Sequence, residues 1–208
     1  MGDHNTSRHV YFVDPAGVKF WNGTHSLDGA DGLSKVIYQF LKINNDTKSL
    51  PLDLSKQRTV TQVYKGFSVI HAFGPDSYDQ SSLNNNGVDV SNIVNFRKLI
   101  IATYKDVFNE FVNGVEKARR DFRTQQKRSF ELRLCFISGG IFNEHQLELS
   151  CWYDKKGFIF QALCQLDKNS LKILSQSNVH LTVFEIKPIQ GLQQQSTCKL
   201  HQLKRTCD

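Results

Sequence analysis

Residues 67–76 read FSVIHAFGPD, an apolar run that stops at a glycine–proline turn. Such a run of β-branched and aromatic residues predicts a strand, and Gly74 with Pro75 ends it. His71 lies inside the run, where a lone histidine is typical of a satisfied core residue rather than of a ligand. We therefore expect a buried strand whose carboxyl end opens directly into a loop.

Strands and helices alternate on both sides of this run. Residues 58–64 (RTVTQVY) predict a strand that is joined to 67–73 across Lys65 and Gly66. Further strands are expected at 9–13, 131–137 and 179–186, and helices at 31–43, at 91–120 with a Ser91 cap, and at 157–166. Polar loops are expected at 14–30 and 74–90. This alternation is typical of an α/β domain with a substantially parallel sheet, in which ligands bind at the carboxyl ends of the strands.

The composition fits one globular domain. The chain has 208 residues, of which 39% are hydrophobic, and its 15 phenylalanines can fill a sizeable core. No apolar run approaches the ~18 residues of a membrane span, and the N-terminal segment lacks the apolar stretch of a secretory signal. We expect no membrane association and a cytoplasmic location.

The five cysteines give no clear sign of a metal centre. Their number is odd and no CxxC pair occurs. Cys135 and Cys164 lie in apolar runs and are interpreted as buried thiols, which favours a reducing compartment. Cys198, His201 and Cys207 lie in a polar tail without a fourth ligand, so we expect no bound metal and no organic cofactor.

The net charge of +6 is unevenly distributed. Basic residues crowd residues 117–128 and recur in the Gln-rich C-terminal tail, residues 188–208, which is expected to be loosely ordered. A positive field attracts polyanions, so nucleic-acid binding is one hypothesis, and a solvated helix end is the other. Only Phe122 and Phe130 interleave with the basic residues, which gives little support for stacking on bases.

Two glycine-rich loops could hold phosphate groups. Residues 28–34, DGADGLS, open a helix, whose free N–H groups and dipole favour an anion. Residues 138–142, SGGIF, leave a buried strand, and their backbone N–H groups could face a second phosphate. Each loop also has a structural interpretation, the first as a glycine-rich turn with an Asp cap and the second as a tight turn that needs positive φ.

The segment VIHAFGPD, residues 69–76, closely resembles the VIH-x-VGP strand and turn of macrodomains. Other segments resemble the remaining macrodomain motifs in the correct order: VDPAG (13–17), GADGLSKVI (29–37), TVTQVYKG (59–66), LCFISGGIF (134–142) and HLTVFEI (180–186). The resemblance covers roughly residues 3–187 and implies a three-layer α/β/α sandwich with a mixed, largely parallel central sheet. It divides the chain into a macrodomain, residues 1–187, and the tail, residues 188–208. Residues 143–156 do not follow the family and are interpreted as an insertion with its own short strand.

The resemblance implies that the chain binds ADP-ribose, free or attached to protein. Residues 28–34 would hold the distal ribose and the diphosphate, and residues 138–142 would close over the diphosphate from the other side. Phe184 would lie near the adenine, and Asp3 would be the carboxylate that binds the adenine. The implied binding residues are Asp3, Ala16, Gly17, Gly29, Ala30, Gly32, Leu33, Ser138, Gly139, Gly140, Ile141, Phe142 and Phe184.

Departures from the common macrodomain pattern bear on catalysis. Asp14 and Gly17 replace the strand-end asparagines, and Ser34 falls where many hydrolytic macrodomains have Asp. The pattern looks more like that of an effector-type clade that removes ADP-ribose from arginine, with acidic side chains near the distal ribose. The resemblance then implies Asp14, Asp28 and Asp31 as the catalytic candidates.

Carboxylates at these positions suit the cleavage of an N-glycosidic bond. They could orient a water, stabilise positive charge that grows on the ribose, and hold the guanidinium of arginine. The expected partners are ADP-ribose and ADP-ribosylated protein, and the chain is expected to be a monomer. The alternative is that the Asp residues are caps and turn formers in a module that reads ADP-ribose without cleaving it.

Overall fold

A six-stranded sheet forms the centre of the protein. The computed structural model describes residues 8–16, 32–43, 58–76, 87–121, 128–138, 157–186 and 193–199. The strands are β1 (Arg8–Asp14), β2 (Thr59–Tyr64), β3 (Phe67–Ala72), β4 (Ser129–Cys135), β5 (Asn178–Ile186) and β6 (Gln193–Lys199). The helices of the described residues are α1 (Gly32–Leu41), α2 (Ile93–Asp121), α3 (Phe158–Cys164) and α4 (Lys168–Gln176).

The strand β1 lies inside the sheet, in the order β2-β3-β1-β4-β5-β6. It pairs in parallel with both β3 and β4, and β4 pairs in parallel with β5. The strands β2 and β6 run antiparallel to their neighbours at the two edges. The predicted α/β domain with a mixed, largely parallel sheet is confirmed.

A tight hairpin joins β2 and β3 across Lys65 and Gly66, as the sequence predicts. Both residues have positive φ, 48° and 87°. Two successive residues with positive φ are the mark of a type I′ turn, whose twist matches that of the strands it joins. The turn is followed by regular antiparallel pairing that runs from Tyr64 opposite Phe67 to Thr59 opposite Ala72.

Helices cover the sheet on both faces. On β3, Val69 is buried against Ile37 and Leu41 of α1, whereas the next residue, Ile70, belongs to the core that α2 fills. Successive side chains of a strand point to opposite faces, so α1 and α2 lie on opposite sides of the sheet. The larger core lies under α2, with fully buried Phe96, Tyr104, Phe108 and Phe111.

The predicted Ser91 cap of α2 is wrong. The helix begins at Ile93, and Oδ1 of Asn92 accepts hydrogen bonds from the backbone N–H groups of Val94 (2.9 Å) and Asn95 (3.4 Å). Ser91 instead donates from its backbone N–H and its hydroxyl to Asp89, at 2.9 and 2.6 Å. Because Asn and Ser are both good caps, their neighbouring positions in the sequence did not decide between them.

The predicted helix at 157–166 is confirmed as α3, and a second helix, α4, follows it without having been predicted. The side chain of Asp167 caps α4 by accepting from the backbone N–H groups of Asn169 (2.8 Å) and Ser170 (2.9 Å). In the part of the chain that the structure describes, no helix is both long and apolar enough to cross a membrane.

The expectation of a loosely ordered tail is wrong for residues 193–199. These residues form β6, which pairs antiparallel with β5 from Ile186 opposite Gln193 to His180 opposite Lys199. The sequence QQQSTCK has none of the apolar alternation that marks a half-buried strand. Its pairing depends on the free backbone groups at the edge of β5, which composition does not reveal.

The two cysteines that were interpreted as buried thiols differ from one another. Cys135 is buried and free, as predicted. Cys164 is exposed on α3 and forms a disulfide bond, so the interpretation as a buried thiol is wrong there. Disulfides persist in oxidising compartments, and the cysteine argument for a reducing compartment therefore loses its support at this position.

Candidate functional site

The carboxyl ends of β1, β3, β4 and β5 meet at one edge of the sheet, because these strands are parallel. The next described helix after β1 lies on one face, and the next described helix after β3 lies on the other. Neighbouring strands whose connections leave toward opposite faces create a crevice between them, and ligands of α/β proteins bind there. The end of β1, at Asp14, therefore marks the candidate site.

Asp14 is fully buried and lies directly opposite His71 in the parallel pairing of β1 and β3. Its Oδ2 accepts a hydrogen bond from the hydroxyl of Tyr38 on α1, at 2.5 Å. The same oxygen lies 2.7 Å from Nδ1 of His71, and because a carboxylate only accepts, Nδ1–H is the donor. Three elements thus join at a single oxygen atom.

The hydrogen-bonded chain continues on the far side of the His71 ring. The Tyr64 hydroxyl on β2 lies 3.0 Å from Nε2 and also contacts Oε1 of Gln62. Both ring nitrogens of His71 are therefore engaged, and its interpretation as a satisfied core residue is confirmed. We call Tyr38, Asp14, His71 and Tyr64 the Asp14 network.

Both tyrosines of the Asp14 network hold their protons firmly. Burial raises the pKa of Tyr38 well above its ordinary value, and the negative charge of Asp14 raises it further. Burial, followed by the charge of Asp14, also raises the pKa of Tyr64. Tyr38 is therefore a phenol that donates to the carboxylate, because its ionised form would face a like charge.

The second oxygen of Asp14, Oδ1, differs from Oδ2 in its hydrogen bonding. Among the residues that the structure describes, Oδ1 is buried and has no hydrogen-bond partner. A buried acceptor without a donor costs roughly 1–3 kcal/mol. The nearby thiol of Cys135 does not satisfy it, since its Sγ lies 3.4 Å from the carbonyl oxygen of Val13 instead. Burial and the charge of Asp14 raise the pKa of this thiol, so it is not a nucleophilic thiolate.

The ends of β3 and β4 are held tightly together beside this site. The Ser138 hydroxyl donates to the carbonyl oxygen of Pro75 at 2.6 Å, and Ser138 is buried with φ of 56°. A Cβ atom on Gly74 would lie 2.2 Å from Oγ of Ser138 and 2.4 Å from Cγ2 of Ile137. Glycine is therefore required at position 74, and Ser138 opens the predicted loop 138–142 from a fixed position.

The start of α1 approaches the end of β1. The Ser34 hydroxyl donates to the carbonyl oxygen of Pro15 at 3.3 Å, and the Ala16 N–H donates to the carbonyl oxygen of Asp14 at 2.8 Å. Gly32 opens the helix with φ of 57°, a conformation that favours glycine. Leu33 packs against both cores.

The structure thus brings five predicted site residues to one edge of the sheet: Asp14, Ala16, Gly32, Leu33 and Ser138. The backbone of Phe184 is at the same edge, opposite Cys135 in the pairing of β4 and β5. The other predicted residues lie outside the described residues: Asp3, Gly17, Asp28, Gly29, Ala30, Asp31, Gly139, Gly140, Ile141 and Phe142. The predicted insertion at 143–156 lies outside them as well.

Tyr38 and Tyr64 are the members of the Asp14 network that sequence reasoning missed. Tyr38 lies in the predicted helix 31–43 and Tyr64 in the predicted strand 58–64, and neither stands near Asp14 in the sequence. The only signal was the polar tip of each ring, since a buried tyrosine hydroxyl usually finds a partner. Which partner it finds depends on strand register and helix placement.

In the described ranges, no group of three or more His, Cys, Asp or Glu side chains is arranged so that it could hold a metal ion. Fold and site define an α/β domain with a buried carboxylate at the switch point of its sheet. Comparison with known protein families and with curated proteins finds no match for the chain.

Proposed function

We propose that this protein binds ADP-ribose at the carboxyl edge of the sheet and hydrolyses ADP-ribosyl groups from modified protein, with arginine as the modified residue. The observation that carries the proposal is the position of Asp14. This carboxylate ends β1, precedes Pro15, whose carbonyl oxygen accepts from Ser34 of the first predicted phosphate loop, and has one oxygen without a described partner.

The placement of the macrodomain-like segments supports the proposal. VDPAG (13–17), VIHAFGPD (69–76) and LCFISGGIF (134–142) begin in β1, β3 and β4, and their described residues follow the carboxyl ends of these parallel strands. The segment GADGLSKVI enters α1, whose start contacts the end of β1. An anion that lies at this edge would meet backbone N–H groups at a helix start and at glycine turns.

Asp14 also suits the proposed chemistry. In the hydrolysis of ADP-ribosylarginine, water adds to C1 of the ribose, the C–N bond breaks, and the proton from water ends on the departing guanidine. Oδ1 of Asp14 is free to accept a hydrogen bond from a ribose hydroxyl or from that water, and its charge favours an oxocarbenium-like centre. Asp28 and Asp31 are proposed as the carboxylates that complete the site.

The test is release of ADP-ribose from arginine-ADP-ribosylated protein, with ADP-ribose affinity measured by calorimetry. We expect wild-type release, and a loss of about a hundredfold or more in at least one of Asp14→Asn, Asp28→Asn and Asp31→Asn. Asp121→Asn, an exposed carboxylate at the far end of α2, is the matched control and should leave release unchanged.

The outcomes separate three functions. ADP-ribose binding without release from arginine, or from acidic residues, would make the chain a reader module. Absence of ADP-ribose binding would remove the proposal altogether. Affinity for RNA that falls steeply with salt, without ADP-ribose binding, would support the nucleic-acid hypothesis.

A further inference from the structure

We propose that Tyr38 and His71 are positioning residues that clamp Oδ2 of Asp14, so that Oδ1 is the oxygen offered to the substrate. The inference rests on the proposed function, because it assigns these two residues a part in the same reaction. It assigns both side chains a role that is exerted through Asp14.

The clamp consists of two donors that reach one oxygen from different elements. Tyr38 approaches from α1 at 2.5 Å, and His71 approaches from β3 at 2.7 Å. All three side chains are buried, with relative exposures of 4% for Tyr38 and 0% for Asp14 and His71. Rotation of this buried carboxylate about its Cβ–Cγ bond would break both hydrogen bonds, so the two donors fix its orientation.

Tyr64 holds the second donor in place. Its hydroxyl lies 3.0 Å from Nε2 of His71, and the two rings meet edge to face with centroids 5.7 Å apart. The Tyr64 contact restrains rotation of the His71 ring and so keeps Nδ1 directed at Asp14.

The clamp explains why only one oxygen lacks a partner. Both described donors go to Oδ2, and none of the described residues donates to Oδ1. A carboxylate that served only to hold α1 against the sheet would gain more from one donor on each oxygen. The uneven arrangement leaves one buried acceptor, which a ribose hydroxyl or an attacking water can satisfy.

Two nearly isosteric substitutions of His71 separate the clamp from simple core packing. In His71→Asn the amide nitrogen takes the place of Nδ1 and can still donate to Asp14. In His71→Gln the amide lies near the place of Nε2, so the contact with Tyr64 is kept and the contact with Asp14 is lost. Tyr38→Phe removes the other donor with little change in shape.

We expect Tyr38→Phe and His71→Gln to lower kcat for ADP-ribose release by about tenfold to a hundredfold, with KM within about threefold of wild type. His71→Asn should restore most of the rate lost in His71→Gln. The control is Tyr11→Phe, a tyrosine of β1 on the α2 face of the sheet, which should leave kcat unchanged. Wild-type rates in Tyr38→Phe and His71→Gln, with Asp14→Asn inactive, would overturn the clamp and leave the proposed function standing.

An NMR measurement tests the clamp without any activity. The Nδ1–H proton of His71 should exchange slowly with water in the wild-type chain, and its signal should shift or disappear in Asp14→Asn. If wild type releases no ADP-ribose, the proposed hydrolysis has failed, and this signal decides whether the clamp itself exists. A fast-exchanging Nδ1–H, or one that Asp14→Asn leaves unchanged, would overturn the clamp whatever the activity.

Discussion

Asp14 and Glu131 are buried carboxylates on the same face of the sheet. They differ in how many of their oxygens accept hydrogen bonds from the protein. The pairing of Phe12 with Arg133 and of Val10 with Glu131 places Glu131 on the face of Asp14. Both oxygens of Glu131 accept hydrogen bonds from protein side chains. Only one oxygen of Asp14 does so among the described residues, and this difference is why we propose Asp14, and not Glu131, as a ligand-binding carboxylate.

Glu131 makes a pH-dependent contribution to stability. Burial raises its pKa, but hydrogen bonds from Arg133 and Thr182 and the charges of Arg133 and Arg8 outweigh burial, so the pKa lies below its ordinary value of 4.5. A carboxyl group of this kind stabilises the fold above its unfolded pKa, and the contribution is lost as the pH falls through the folded pKa. We expect Glu131→Gln to lower the free energy of unfolding by about 1–3 kcal/mol at neutral pH.

Urea unfolding at pH 7 and near pH 3 checks this prediction. The destabilisation of Glu131→Gln should shrink at the lower pH, because the contribution of ionised wild-type Glu131 is lost as the pH falls through its folded pKa. Glu116→Gln is the control, because Glu116 pairs with the exposed Arg120 within α2 and should change stability by less than about 0.5 kcal/mol. A penalty of equal size at both pH values would contradict the assignment.

Gly74 is a residue whose missing side chain shapes the candidate site. Gly74→Ala would place a methyl group against Ser138 and Ile137, and overpacking of this kind costs about 1–3 kcal/mol. Gly66→Ala is the control: its Cβ meets nothing within 4 Å, so it has only the backbone cost of positive φ, about 1–2 kcal/mol. Thermal unfolding of both variants compares their losses of stability. A smaller loss of stability in Gly74→Ala than in Gly66→Ala would mean that the ends of β3 and β4 separate easily.

At the scale of elements, the start of α2 shows how local side chains set a helix boundary. Asn92→Ala removes the acceptor for Val94 and Asn95 and should lower the free energy of unfolding by about 1 kcal/mol. Ser91→Ala should cost less than about 0.5 kcal/mol, because Ser91 donates to Asp89 and does not cap the helix. Chemical denaturation of the two variants is the measurement, and the opposite order would restore Ser91 as the cap.

At the scale of the whole molecule, β6 shields one edge of the sheet. Removal of residues 188–208 would expose the backbone of β5 and should lower the free energy of unfolding by about 2–5 kcal/mol, from the lost hydrogen bonds. A chain that ends at residue 200 keeps β6 and should be as stable as the full chain, with Cys164→Ser introduced into all the chains so that loss of the Cys164 disulfide does not enter the comparison. Urea unfolding and light scattering compare the two, since an open edge also promotes self-association. A truncated chain of full stability would mean that β6 contributes little.

Much of the fold was predictable, because its signals are local. The apolar runs of β1, β3 and β5 and the periodic spacing of α2 indicate burial from residues within each element, whereas Val36 and Phe40, two of the apolar positions of α1, are exposed. The candidate site was predictable only in outline. Asp14 and Ser138 were placed at strand ends, but the partners of Asp14 on α1 and β3 were not, because no sequence pattern gives the register of parallel strands.

The sequence by itself determined the order and type of most elements, the β2–β3 hairpin and the positions of the glycines that strand ends require. Only the tertiary structure decided that Asp14 meets His71, 57 positions away, and Tyr38, 24 positions away. It alone decided that a polar glutamine-rich segment becomes an edge strand. The physical reason is the separation in sequence of the residues that interact. Helix and strand propensity and turn geometry depend on residues within a few positions of one another. A buried carboxylate is instead stabilised by hydrogen-bond donors that parallel strand pairing and helix packing bring from distant parts of the chain.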